Sequence, residues 1–167
     1  MSISFTCSTA QAADIFLSFP DSDIVGESVA MNHVDEVQVE SFSWNLLTEA
    51  GKKSTTNVDI SEFSLIKFAD SSTASILTKA VMGVNLGRVV VKIHRATEGM
   101  HLDYLVLTLN DATIASVASD IDGGQDRVVE RVIFTFSSVT GVYTVINRDG
   151  SPGEIHEYNI AAANVIL

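Results

Sequence analysis

The sequence predicts an all-β fold, a compact β-barrel of about eight to ten mostly antiparallel strands with one short flanking α-helix. Three observations predict it. Apolar residues alternate over short runs along most of the chain. Turn-forming residues recur roughly every 8–12 positions. Only one segment carries helical periodicity. The strand expected to organise the rest is 102–117, LDYLVLTLNDATIASV, which is apolar on both phases. Leu105, Leu107 and Leu109 share one face, and Leu102, Tyr104 and Val106 share the other. A strand solvated on one side alternates more cleanly, so both faces want cover, one of them from a helix or a second subunit. Asn110-Asp111 marks a kink or bulge inside the run, because short polar side chains compete for backbone hydrogen bonds.

Taken from the front, 14–19 (DIFLSF) reads as a short strand stopped by Pro20-Asp21. Residues 22–33 form a polar loop, and 35–47 a long strand whose apolar phase slips between Val39 and Phe42, which predicts a bulge. Residues 48–56 (TEAGKKSTT) are too polar for the core and read as an extended loop whose flanks can pair. A strand follows over 58–68, with Val58 and Ile60 pointing one way, Phe63 and Leu65 the other, and the phase slipping again before Phe68. Asp70-Ser71-Ser72 offers an N-cap to a helix over 73–82, with Ile76, Leu77, Ala80 and Val81 as its apolar stripe and Gly83 as its C-terminal stop. Strands are expected over 86–97, with Glu98-Gly99 as the return, over 127–139, broken at Gly141 and resumed over 142–146, and over 155–160 after the turn 147–153. The organisation expected is one domain over 1–167, with 1–13 as an N-terminal extension and 161–167 as an apolar tail that packs on a neighbour.

Ten basic against twenty-one acidic residues give a net charge of −11. That argues against a nucleic-acid backbone or an anionic membrane surface as partner. Cys7 is the only cysteine, so internal disulfides and thiolate metal clusters are excluded. No apolar run reaches spanning length. Ala10–Ala13 (AQAA) lacks the basic and apolar regions that precede a cleavage site, and reads as an uncleaved tail.

No catalytic constellation emerges. The four histidines, His33, His94, His101 and His156, stand in no metal-ligand spacing. His94 and His101 flank a hairpin and can approach across it, but two imidazoles alone are a weak basis for zinc. No metal and no cofactor are expected. Asp120–Gly124 reads as a turn rather than a calcium loop. No serine lies in a nucleophile elbow. Glu130 and Arg131 are adjacent in a strand, hence on opposite faces, and either can bridge to another strand or subunit. The residues fit an interaction or structural protein better than an enzyme, with a free-standing binding module as the alternative.

The order of segments carries a resemblance. DIFLSF is followed by GES, by DEVQVESFSW, by SEFSLIKFADSSTASILTKAVMG, by LGRVVVKIHRA, by LDYLVLTLNDATIASVAS and by GGQDRVVERVIFTFSSV. Over 14–139 this resembles the haemolysin-coregulated proteins, the Hcp tube subunits of type VI secretion systems. The resemblance implies a β-barrel with a helix at its flank. It implies a homohexameric ring, rings stacked into an inner tube, sheath and spike proteins as further partners, and effectors carried in or with the tube. It implies a bacterial cytoplasmic protein that is later secreted without a cleaved signal peptide. By position, Glu49, Lys52 and Lys53 fall on the family's extended loop, which reaches toward a neighbouring ring. Tyr104 and Leu105 are the expected contacts between neighbouring barrels, and Ser75 and Lys79 belong to the helix expected on the channel side. Departures are also visible. SSVTGVYTVINRD has Tyr143 but no tryptophan, Thr73 and Ala74 stand where the family helix has a proline, and extra residues precede the first strand. A tube protein of a related contractile injector is the alternative within this reading.

Overall fold

A computed structural model describes residues 13–50, 55–60, 62–97, 100–121, 123–124, 126–161 and 163–166. In chain order these hold β1 (Asp14–Ser18), β2 (Val37–Val39), β3 (Ser41–Ser43), β4 (Leu46–Ala50), β5 (Thr55–Ile60), β6 (Phe63–Phe68), α1 (Ser72–Met82), β7 (Val89–Thr97), β8 (Met100–Asn110), β9 (Thr113–Asp120), β10 (Val129–Thr135), β11 (Ser138–Ile146), β12 (Pro152–Ala161) and β13 (Ala163–Ile166). All pairings among them are antiparallel. The fold is all-β, with one helix among the described residues, as the sequence predicts.

The barrel is not closed. Strands run in the order β12-β11-β8-β7-β1-β2 in a six-stranded sheet, β3-β6-β10-β9 in a four-stranded sheet, and β13-β5-β4 in a third. The first two share one core. Leu17, Val37, Val89, Val91, Leu107, Leu109 and Val139 from the larger sheet meet Phe63, Leu65, Ile114, Val132 and Phe134 from the smaller.

The phase changes between Val39 and Phe42 and between Ile60 and Phe63 mark moves between sheets rather than bulges within one, whereas the slip expected before Phe68 is absent: β6 alternates unbroken to its end, with Lys67 in the inward row. Val39 pairs in the six-stranded sheet and Ser41 in the four-stranded one, with Glu40 at the corner donating its N–H to the Ile66 carbonyl at 2.8 Å. The expected single strand over 35–47 is therefore three short ones. Val58 and Ile60 belong to the third sheet while Phe63 and Leu65 begin another. At Asn110–Ala112 the chain passes from β8 to β9 through Asp111, whose φ is +53°. Short acidic side chains tolerate that left-handed turn better than most. The run expected over 127–139 splits likewise at Phe136-Ser137, where the Ser137 hydroxyl donates to Asp111 Oδ2 at 2.7 Å.

Gly141 does not break a strand. It lies buried within β11, opposite Tyr158 of β12. A Cβ there would stand 2.1 Å from the Tyr158 ring, so the glycine exists to seat the tyrosine. Residues 48–56 are not a loop throughout. Leu46–Ala50 and Thr55–Ile60 pair as a hairpin, and 163–166 of the tail pair with β5, Ala163 opposite Val58 and Ile166 opposite Thr55. Residues 51–54, the return at 98–99 and the extension 1–12 lie outside the described residues.

Helix α1 begins where expected and is capped by Asp70, whose Oδ1 accepts the Ser72 N–H at 2.9 Å. It ends at Gly83, φ +60°, whose N–H reaches the Ala80 carbonyl. Of the expected stripe, Ile76 is buried and Ala80 packs against the core, whereas Leu77 and Val81 are exposed. With one row anchored, the helix lies on the sheets by an edge and leaves an apolar face outward.

Candidate assembly surfaces

Three surfaces carry more apolar or backbone-pairing capacity than the core uses. The first is β12. It is the last strand of the larger sheet among the described residues, ten residues long, with Ile155 58% and Tyr158 38% exposed. The opposite end of the sheet is β2, only three residues long. Natural proteins usually keep edge strands short, twisted or charged, so β12 is the edge built to be covered. Partial burial against Gly141 pushes the Tyr158 hydroxyl pKa up.

The second is the outer face of α1, where Leu77, Val81 and Met82 are exposed. Ser75 and Lys79 lie beside that face and are half-buried. With Asp23, Ala74, Thr78 and Met82 they line a cavity of about 240 Å³. Lys79 is paired on this face. Its ammonium lies 2.7 Å from Asp23 Oδ1, and that hydrogen bond lowers the Asp23 pKa.

The third is the chain between β1 and β2. Val25, Val29, Met31 and Val34 are all at least half exposed there. Residues 25–36 fold back on themselves, with Gly26 N–H to Asp35 carbonyl at 2.8 Å and Asp35 N–H to Ser28 carbonyl at 2.9 Å. Gly26 has no room for a side chain, since a Cβ would lie 2.3 Å from the Glu36 carbonyl oxygen.

The remaining sequence-predicted positions divide. Leu105 packs against the core, opposite Ile93 and Tyr143. Tyr104 sits where the β7–β8 register slips by one residue, meets Tyr143 edge-on at 6.3 Å, and lines a cavity of about 390 Å³ with Ala13, Arg95, Val145 and Ile146. The backbone of Glu49 lies in β4 opposite Asn57. Lys52 and Lys53 fall outside the described residues. Tyr104 and Leu105 adjoin one another, while Ser75 and Lys79 belong to a separate face.

Two polar clusters among the described residues are largely buried, and the sequence signals only part of them. In one, Lys67 is fully buried with its ammonium 2.8 Å from Glu130 Oε2 and 2.9 Å from Asp70 Oδ1. Thr73 donates its hydroxyl to Glu130 at 2.9 Å. Lys67 continues the inward row of Phe63 and Leu65, and Glu130 that of Val132 and Phe134. Strand alternation thus drives a cation and an anion into the core end, where the start of α1 satisfies them. The second cluster gathers His33, His94, His101 and Asp103 on the outer face of the larger sheet. The expected approach of His94 to His101 is present, at 3.3 Å. His33 joins from far along the chain, which spacing alone does not reveal.

A family model described as the type VI secretion system effector Hcp matches residues 16–143. The chain belongs to the Hcp family. Hcp proteins are structural tube subunits of type VI secretion. Protein hcp1 of Pseudomonas aeruginosa is 27% identical over 145 residues, spanning 84% of this chain and 88% of that one. A solved type six secretion system protein superposes with a TM-score of 0.81 at 21% identity, covering 90% of this chain and 96% of its own. Hcp1 from Salmonella typhimurium superposes with a TM-score of 0.75 at 23% identity, over 91% of this chain and 96% of its own. At those identities the solved Hcp structures bear on the fold. The family match carries the identity.

Proposed function

We propose that six copies of this chain close into a ring around an open channel and that rings stack into the inner tube of a type VI secretion machine. The tube is enclosed by sheath, tipped by spike, and carries effectors out of the bacterial cytoplasm without a cleaved signal peptide. The role is mechanical, with no substrate turned over. The observation that carries this reading is β12. A ten-residue edge with exposed Ile155 and Tyr158 at one end of a sheet, and a three-residue strand at the other, makes the two ends unlike. Unlike surfaces meeting head to tail generate rings when the rotation closes. The exposed row Leu77, Val81 and Met82 supplies apolar area for the same purpose. A specific contact needs roughly 1,000 Å² in total, and at about 25 cal/mol per Å² of apolar area a fraction of it outweighs repulsion between acidic copies.

On this reading Tyr104 and Leu105 adjoin the neighbour in the ring, Ser75 and Lys79 lie on the channel side, and Glu49, Lys52 and Lys53 reach the next ring. Native mass spectrometry joined to negative-stain imaging tests it. Six copies around a hole are expected. A mass of one or two copies at high protein concentration would leave a monomeric binding module as the better description.

A further inference from the structure

We propose that His33, His94 and Asp103 form a zinc-binding site that fastens the segment between β1 and β2 to the outer face of the larger sheet. His33 Nε2, His94 Nδ1 and Asp103 Oδ1 converge on one point. They lie 3.2 Å, 3.0 Å and 2.7 Å from one another, in the order His33–His94, His33–Asp103 and His94–Asp103. Zinc holds nitrogen and oxygen ligands at about 2.0–2.1 Å, which in a tetrahedron spaces them roughly 3.3 Å apart. The triangle needs to open by about half an ångström at its shortest side.

The proton inventory favours a cation at that point. The second ring nitrogen of His33, Nδ1, lies 2.8 Å from Glu36 Oε2. Both nitrogens of one imidazole therefore face carboxylates, while a neutral ring has a single N–H. With zinc on Nε2 every group is satisfied. Nδ1–H donates to Glu36, and the Nε2 lone pair and the Asp103 oxygen both point at the metal. His94 is arranged alike. Its Nε2 faces His101 Nδ1 at 3.3 Å and donates there, leaving Nδ1 for the ion. A ligand histidine held through its far nitrogen by a carboxylate is the usual second support of a zinc site. Glu36 is itself anchored by the Lys92 ammonium.

The surroundings agree. His33 and His94 are buried, and Phe16 stacks flat on His33 at 4.1 Å between centroids. Asp103 is 29% exposed, which leaves one side of the site open for a water as fourth ligand. Two imidazoles and a carboxylate with one water complete a four-coordinate zinc site, whereas iron(II) on the same donor set keeps further positions open. His33 and His94 are 61 residues apart, so the ion would bind the segment bearing Val29, Met31 and Val34 to β7 and β8.

The test uses the full, untagged chain stripped with chelator and titrated calorimetrically with zinc chloride. One zinc per chain is expected, with a zinc-dependent rise in melting temperature. Cobalt substituted at the site should show the visible d–d bands of four- or five-coordination. Asp103→Ala removes a partly exposed ligand and should weaken zinc by more than about 100-fold, while Glu36→Gln should weaken it about 10–100-fold, as loss of an outer-shell partner does. His94→Gln gives a second ligand-deletion variant, and circular dichroism checks the fold of each. Failure of the wild-type chain to take up zinc saturably would overturn the site. Uptake and cobalt spectrum unchanged in both Asp103→Ala and His94→Gln would overturn it equally.

Discussion

Lys67 occupies a position that alternation reserves for an apolar side chain. Its charge survives there because Glu130, Asp70 and the start of α1 surround it. Replacing only Lys67 by methionine would strand two carboxylates at the core end. We expect Lys67→Met to lower unfolding free energy by about 3–5 kcal/mol. The double variant Lys67→Met/Glu130→Leu should recover most of that, because paired apolar side chains of similar size are often as stable as a buried ion pair. Urea unfolding of the three chains measures both. Asp21 shows the opposite, exposed case. Its carboxylate accepts from the Arg88 side chain at 2.9 Å and from the Arg88 backbone N–H at 3.0 Å, which pulls its pKa from 3.8 down to about 2. The folded chain therefore keeps this charge at lower pH than the unfolded chain. The resulting stability is present above the unfolded pKa and disappears as pH falls from 3.8 toward 2. Asp21→Asn should match the wild type at pH 2 and fall below it as the pH is raised past 4, read from unfolding midpoints across an acid series.

At the scale of elements, Gly141 and Tyr158 make one contact out of two strands. The ring of Tyr158 fills the space a side chain at 141 would need. Gly141→Ala should displace that ring, cost about 1–3 kcal/mol as overpacking does, and loosen β12, which hydrogen exchange along 152–161 would register. The sequence marks Gly141 as a breaker because a glycine's identity says nothing of what sits above it. Helix α1 was legible nearly to the residue, since Asp70 and Gly83 are local signals that act within a turn. Its outward Leu77 and Val81 were not, because an apolar stripe is the same whether its cover comes from the chain itself or from another copy. The β4–β5 hairpin was half legible. Its pairing flanks follow from the polar run between them, while the pairing of β13 depends on residues more than a hundred positions away.

For the whole molecule, the all-β class was readable from alternation, and the family from the order of its segments. The division into separate sheets was not. A slip of one residue in apolar phase looks alike whether a strand bulges or leaves one sheet for another. Val39–Ser41 and Asn110–Thr113 are of the second kind. The place of His33 in the histidine cluster also escaped, because it is made by the segment carrying His33 folding over Phe16, a contact with no spacing rule. Net charge acts at this scale as well. At −11 per copy, lowering ionic strength lengthens the reach of repulsion between copies. We expect stacking of rings to weaken before ring closure does. Sedimentation across a salt series should show ring-sized species outlasting longer ones, and simultaneous loss of both would count against unequal contacts.

The corners at Glu40, Asp111 and Ser137 have a bearing on how such a subunit takes load. Because the backbone itself crosses between the layers at each of them, the layers are stitched rather than merely pressed together. A shearing force on one layer is handed to the other through covalent bonds before any greasy contact has to slide. A part driven outward at speed would yield as one block, not peel apart leaf by leaf.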